Sequence, residues 1–285
     1  MTYYPKQWSS ASPGLLIFLI DQSVSTSNVS NESFNSSKFC ANFVNYQINT
    51  IIKYHFSGFQ PKNRCYIEVI GYSDNANVLC SGFLIELYEN PIKIITIRKK
   101  ISDGAGGLVE IDKKMPIWVE PVMDGVHSNA VSAFQLALNT IQKWIDKYPG
   151  SPAPIIVNIS HSIPKSPFLD EEKTIDETIC LSNKIKDIGA INEKSLILSL
   201  INTSEDFFNI YEISEKKQKY KNFLENLSSN IPEYYEWFFE KRDLNFNKIK
   251  HGIVHLEDIP EIQQIIIFNN DAAEELGVKD NQHNN

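Results

Sequence analysis

The sequence predicts an α/β fold, doubly wound, with a mainly parallel central sheet, helices on both faces and one antiparallel edge strand. Three observations carry this reading. Residues 15–20 are an unbroken apolar run behind Pro13-Gly14, the pattern of a strand buried on both faces at the centre of a parallel sheet. Strand-like runs then alternate with helical periodicity through most of the chain. No stretch is long or polar enough to act as a linker, so one domain is expected over 13–268, with a leader at 1–12 and an acidic, mobile tail at 269–285.

Taken in order, the first strand runs into a Ser/Asn-rich loop over 26–37, and apolar spacing from Cys40 to Ile52 predicts a helix over 38–56. The β-rich run at 65–72 predicts a second strand, and 77–87 its antiparallel edge partner. A helix from Ala130 follows, with Ala133, Phe134, Ala137, Leu138, Ile141 and Ile145 on one face. Residues 155–159 predict a strand, 170–188 a helix, 195–201 a strand and 215–227 a charged amphipathic helix. Residues 249–256 are strand-like and 259–268 helical. The glycine-rich stretch at 103–107 reads as a surface loop, because no Lys-Ser/Thr follows for a P-loop and no GxGxxG is present.

Charge and cysteine usage narrow the class. The 27 basic and 35 acidic residues leave a net charge of −8, which argues against nucleic acid or anionic membrane as partner. No apolar run reaches membrane-spanning length, and the first residues lack the pattern of a signal peptide. Cys40, Cys65, Cys80 and Cys180 form no CxxC pair, as expected of a reduced, cytoplasmic protein.

The chemistry concentrates where the first strand ends, in Asp21-Gln22-Ser23-Val24-Ser25. Ligands of open α/β sheets bind beyond the carboxyl ends of the strands. One carboxylate and two alternate hydroxyls there form a set of hard oxygens suited to Mg²⁺. The other reading is a buried strand passing into a serine-capped polar turn.

Further marks follow in order: Ile70-Gly71-Tyr72, Asp103 to Gly107, Trp118 with Pro121 and Gly125, and Ser228-Ser229 with Pro232. With the Asp-x-Ser-x-Ser strand end, their order over about 13–268 resembles von Willebrand factor A (VWA) domains. The likeness is strongest to the bacterial intracellular, tellurite-resistance-like type. It implies a VWA/Rossmann-like fold and a metal-ion-dependent adhesion site, here degenerate. Where the family carries a threonine in its second loop, Ser128 is the stand-in, or His127 if the loop is one residue shorter. Where the family has Thr-Asp-Gly, this chain has Ser160-His161-Ser162, so an imidazole replaces the second carboxylate. Three outcomes stay open: a vestigial site, weak Mg²⁺ binding through Asp21, Ser23, Ser25 and Ser128, or a transition metal on His161.

The resemblance further implies a non-enzymatic protein-interaction module, an adaptor in a bacterial stress-response or anti-phage defence system. Its partner would be a kinase, phosphatase, protease or AAA-type ATPase, received on Asp21, Asp124, His127, Ser128 and His161. The alternative is a metal-dependent hydrolase using the same loops. A serine hydrolase is disfavoured because none of Ser23, Ser25 and Ser128 sits in a Gly-x-Ser-x-Gly turn.

Overall fold

The computed structural model describes residues 6–23, 32–102, 107–122, 125–189, 193–201, 214–240, 243 and 245–255. Their order is β1 (Gly14–Asp21), α1 (Glu32–Tyr54), β2 (Phe56–Ser57), β3 (Gln60–Pro61), β4 (Cys65–Tyr72), β5 (Ala76–Phe83) and α2 (Leu84–Glu89). Then come β6 (Lys93–Ser102), β7 (Leu108–Ile117), α3 (Ala130–Lys147), β8 (Ile155–Ser160), α4 (Glu171–Asp187) and β9 (Leu196–Ile201). The last elements are α5 (Glu215–Leu227), a 3-10 turn (Glu233–Tyr235), α6 (Glu236–Glu240), a second 3-10 turn (Phe246–Lys248) and β10 (Ile253–His255).

The central sheet has six strands in the order β10-β9-β8-β1-β4-β5. All neighbours are parallel except β4 and β5, so the antiparallel strand lies at one edge as the sequence predicts. Every residue of β1 is buried, and the pleat divides them by parity. Leu16, Phe18 and Ile20 face α1 and the segment 231–254, while Leu15, Ile17 and Leu19 face α3, α4 and α5. Each such side chain, fully removed from water, contributes roughly 1.5–3 kcal/mol to the fold.

The helices form for ordinary reasons. α3 buries Ala130, Ala133, Phe134, Ala137, Leu138, Ile141 and Trp144 along one stripe. α4 starts where Asp170 accepts the Lys173 N–H at 2.8 Å, with Glu171 and Glu172 in its first turn and Lys184 and Lys186 in its last. α1 opens at Glu32, six residues earlier than its apolar spacing indicates, so part of the expected Ser/Asn-rich loop is helical. The expected edge strand at 77–87 ends at Phe83, and its last apolar residues, Leu84 and Leu87, belong to α2.

Within the leader, Trp8 is buried in the core and its ring lies over Gly14, where any Cβ would collide with it. Around the glycine-rich stretch, β6 and β7 pair antiparallel over ten residues each, a ribbon the sequence analysis does not anticipate. Residues 103–106, the helix expected at 259–268 and the tail at 269–285 lie outside the described residues. No helix among the described residues is long and apolar enough to cross a membrane.

Candidate functional site at the carboxyl edge of the sheet

Asp21 is the last residue of β1 and is 2% exposed. Beyond it, the Gln22 N–H donates to the Tyr72 carbonyl at 2.8 Å and keeps the chain beside β4. Gly71 makes room for the Gln22 side chain, which a Cβ at that position would strike. The chain then turns so that Ser23 donates to Asp21 Oδ1 twice, from its N–H at 3.0 Å and from Oγ at 2.6 Å.

The second loop reaches the same carboxylate. Its approach is set by Asn45 of α1, buried, whose Oδ1 accepts the N–H groups of Trp118 (2.8 Å) and Val119 (3.0 Å). The same side chain donates through Nδ2 to the Val119 carbonyl at 2.7 Å. Beyond this clamp, Ser128 Oγ donates to Asp21 Oδ2 at 2.7 Å. The third loop, after β8, brings His161 Nδ1 to 3.4 Å from the same Oδ2. The two atoms are out of line for a hydrogen bond, and Nδ1 is buried with no hydrogen-bond partner among the described residues. Lys165 N–H donates to the Ser128 carbonyl at 2.9 Å, which ties the third loop to the second.

A polar layer lies beneath. Tyr72 donates to Asn158 Oδ1 at 3.3 Å, and the Tyr220 hydroxyl meets Ser160 Oγ at 3.1 Å and donates to the Ser160 carbonyl at 3.2 Å. Burial, reinforced by the Asp21 charge, pushes both phenols well above their ordinary range, so they remain neutral donors.

Beside this node stands a second acid. Asp74, in the turn between β4 and β5, accepts at Oδ1 from the His127 N–H (3.0 Å) and meets His127 Nδ1 at 2.7 Å. The side-chain and then the backbone hydrogen bond from His127 hold the Asp74 carboxyl below the usual carboxylate range. Asn129 completes the attachment, donating from Nδ2 to the Asp74 carbonyl (3.0 Å) and from its N–H to the Ser73 carbonyl (2.8 Å). Gly125 is required here: its φ of +75° lies in the left-handed region, and a Cβ would come within 2.9 Å of Asp74 Cγ.

The structure therefore brings Asp21, Ser23, Ser128 and His161 to one point, with His127 alongside on Asp74. Ser25 and Asp124 lie outside the described residues. Sequence reasoning missed Asp74, although it follows a buried strand just as Asp21 does, and it missed Asn158 and Tyr220, which carry no local motif.

Do these residues fit magnesium? That ion takes near-octahedral oxygen ligands and is held through carboxylates. The described residues at the node supply one carboxylate and two hydroxyls, and both hydroxyls already donate to that carboxylate. An imidazole nitrogen, not a second acid, stands against Oδ2, and Asp74 is engaged by His127. Among the described residues no group of three His, Cys, Asp or Glu is placed to hold a metal. Among the described residues the node thus offers Mg²⁺ one carboxylate and two hydroxyls, fewer oxygens than the ion takes, while Ser25 and Asp124 lie outside them.

No family model matches the chain, and no curated protein matches it. Among solved structures it is similar to the three N-terminal domains of the type V pili tip protein Mfa5 from Porphyromonas gingivalis, at 11% identity over 54% of this chain and 20% of that one (TM-score 0.33). It is also similar to the ArnB paralog VWA2 from Sulfolobus acidocaldarius, at 11% identity over 91% and 46% (TM-score 0.38). A third is the manganese-loaded Plasmodium vivax TRAP protein, at 12% identity over 76% and 74% (TM-score 0.35). The chain spans less than half the length of the first two. At these TM-scores the likenesses carry no argument about activity or partners.

Proposed function

We propose that this chain is a non-enzymatic protein-interaction module of the VWA type, whose partner docks on the loops at the carboxyl edge of the sheet. The observation that carries this reading is the meeting of three loops at one buried carboxylate, the first two hydrogen-bonded to it and the third tied to the second through Lys165. Ser23, Ser128 and His161 converge on Asp21, and Asp74 fastens the second loop to the β4–β5 turn. Such a node holds a recognition surface in one shape, which lowers the ordering cost of binding. Apolar side chains on the same loops face solvent, Val126 and above all Phe168 at 80% exposure, and suit the contact area of a partner.

The hydrogen-bond directions favour binding over catalysis. A serine nucleophile needs a base to take its proton. Here the hydroxyls of Ser23 and Ser128 both donate to Asp21, and the imidazole of His161 lies against the carboxylate, not against a hydroxyl. In this reading His161 does the work the family assigns to an ion: its ring donates to a carboxylate of the partner. We further propose, from the resemblance, a cytoplasmic adaptor of a bacterial stress-response or anti-phage defence system. A kinase, phosphatase, protease or AAA-type ATPase is then the partner.

Quantitative capture of partners on wild type, Asp21→Ala and His161→Ala tests the proposal, with circular dichroism confirming that each variant is folded. The expected result is a protein retained by wild type and reduced at least about tenfold by both substitutions. Equal retention by all three would move the interface elsewhere.

A further inference from the structure

The opposite edge of the sheet carries a second surface. Because β1 and β4 are parallel, α1 must carry the chain back across the sheet, so its end at Tyr54 lies at the amino edge, away from Asp21. There the end of α1, α2 and the root of the β6–β7 ribbon surround an open pocket of about 350 Å³. Its apolar lining is Ile52, Phe56, Tyr88, Ile94, Pro116 and Trp118. The Phe56 and Tyr88 rings meet edge to face at 5.1 Å, and Trp118 is fixed by its indole N–H, which donates to the Leu87 carbonyl at 2.6 Å. Around this floor Phe56, Tyr88, Ile92 and Ile94 face solvent, Ile94 at 60% exposure.

The charged residues that line the pocket are of one sign. Lys53 and Lys114 line it, and Lys113 is near enough that, after burial, its charge helps push Lys53 below the usual lysine range. None of these three lysines has a carboxylate partner among the described residues, although acids outnumber bases in the chain by 35 to 27. Farther along the ribbon Arg98 is matched with Asp112 at 3.7 Å and Glu110 at 4.0 Å, and Lys100 with Glu110 at 3.9 Å. At the ribbon's root Lys93 is paired with Glu120. Positive charge without a carboxylate partner among the described residues thus stands beside exposed apolar surface.

We infer that this pocket docks an acidic peptide segment of a partner protein, which inserts one aromatic side chain while its flanking carboxylates meet Lys53, Lys113 and Lys114. The volume is at the low end for small-molecule sites and suits a single large anchor. The apolar collar extends outside the pocket to Ile92, so a small ligand seated within leaves Ile92 wet, whereas a segment lying across the rim covers it. The lysines select for negative charge and steer its approach. This surface stands independently of the loops around Asp21, and it gives the molecule two docking faces at opposite edges of one sheet.

The test is fluorescence anisotropy with the labelled peptide Glu-Asp-Glu-Leu-Phe-Asp-Glu-Asp at low salt. Comparison peptides have the phenylalanine replaced by alanine, or all acids replaced by their amides. The full-length chain is compared with the double variant Lys53→Glu/Lys114→Glu and with Ile94→Asp, all at exposed positions and checked for unchanged thermal unfolding. The expected result is saturable binding that falls at least about tenfold in both variants and with both altered peptides. No saturation up to about 1 mM peptide overturns the proposal. So does equal binding by wild type and the lysine variant. Saturable binding of dodecanoate without peptide binding overturns it in favour of a small amphiphile.

Discussion

Replacing Asp21 by alanine separates the contribution of the node to the fold from its contribution to recognition. The carboxylate accepts three hydrogen bonds, but they are not equivalent. Both Ser23 donors are only partly buried and regain water when the acid is removed, whereas Ser128 Oγ is in a buried side chain and keeps only the buried Tyr72 hydroxyl as a neighbour to bond. A hydrogen bond to an ionised acceptor is worth roughly 1.5–3 kcal/mol, and part of that loss is offset by no longer burying a charge. The net cost is about 2 kcal/mol, which for a domain of this size lowers the melting temperature by about 4–8 °C. Asp21→Asn keeps the shape and, with the Ser128 hydroxyl rotated to accept, costs roughly half as much. Thermal unfolding followed by circular dichroism measures both. The apolar residues of β1 remain packed, so a single cooperative transition persists. A fall of less than about 1 °C in Asp21→Ala means that Ser128 does not depend on the carboxylate, and one above about 15 °C means that the node holds up the fold itself. Either result refutes the reasoning.

Other predictions follow from the same geometry. Gly125→Ala forces a Cβ into a left-handed backbone and against Asp74, at a cost of about 1–2 kcal/mol. Its His127 ring resonances shift as the Asp74 contact opens, and unchanged resonances contradict the assignment. Glu68, buried on β4 with Thr140 donating to it at 2.7 Å, is raised above its ordinary 4.5 by burial, only partly countered by Thr140 and Lys143. With the native pKa raised, its stabilisation is full below the ordinary value and is lost as pH rises through the native one. Glu68→Gln therefore melts above wild type near pH 7 and loses that advantage near pH 4, whereas a constant difference across pH speaks against it. Of the four cysteines, Cys40 and Cys65 are buried, Cys80 is pushed up to about 12 by burial and the Glu68 charge, and Cys180 is exposed. One thiol should react rapidly with a disulfide reagent near pH 8 and four after denaturation, and a second fast thiol disputes the packing of β5.

What the sequence reveals depends on whether a single physical signal dominates a segment. β1, β4, β8 and β9 are buried strands whose apolar runs are hard to read otherwise, and α3 shows its stripe without ambiguity. The start of α1 is concealed because residues 32–37 are Ser/Asn-rich, and their helical state is imposed by the packed turns downstream. The β6–β7 ribbon is concealed by its charge: isoleucines are interleaved with lysines and acids, so neither face reads as a core. For the leader at 1–12 the sequence leaves open whether it packs on the domain or stays loose, and the Trp8 ring is part of the core over Gly14. At the site, Asp21, Ser23, Ser128 and His161 were legible because strand ends converge in this topology. Asp74 was not, since its partner His127 is far along the chain and only the folded turn brings them together.

The central claim is that a partner sits on the carboxyl-edge loops, and site-specific photo-crosslinking measures this most directly. A benzophenone amino acid is placed singly at Val126, at Phe168 and, as control, at Gln142 on the exposed side of α3. The account predicts one common adduct from Val126 and Phe168, absent from Gln142 and suppressed when Asp21→Ala is added. An adduct formed equally from Gln142, or one indifferent to Asp21→Ala, would contradict it.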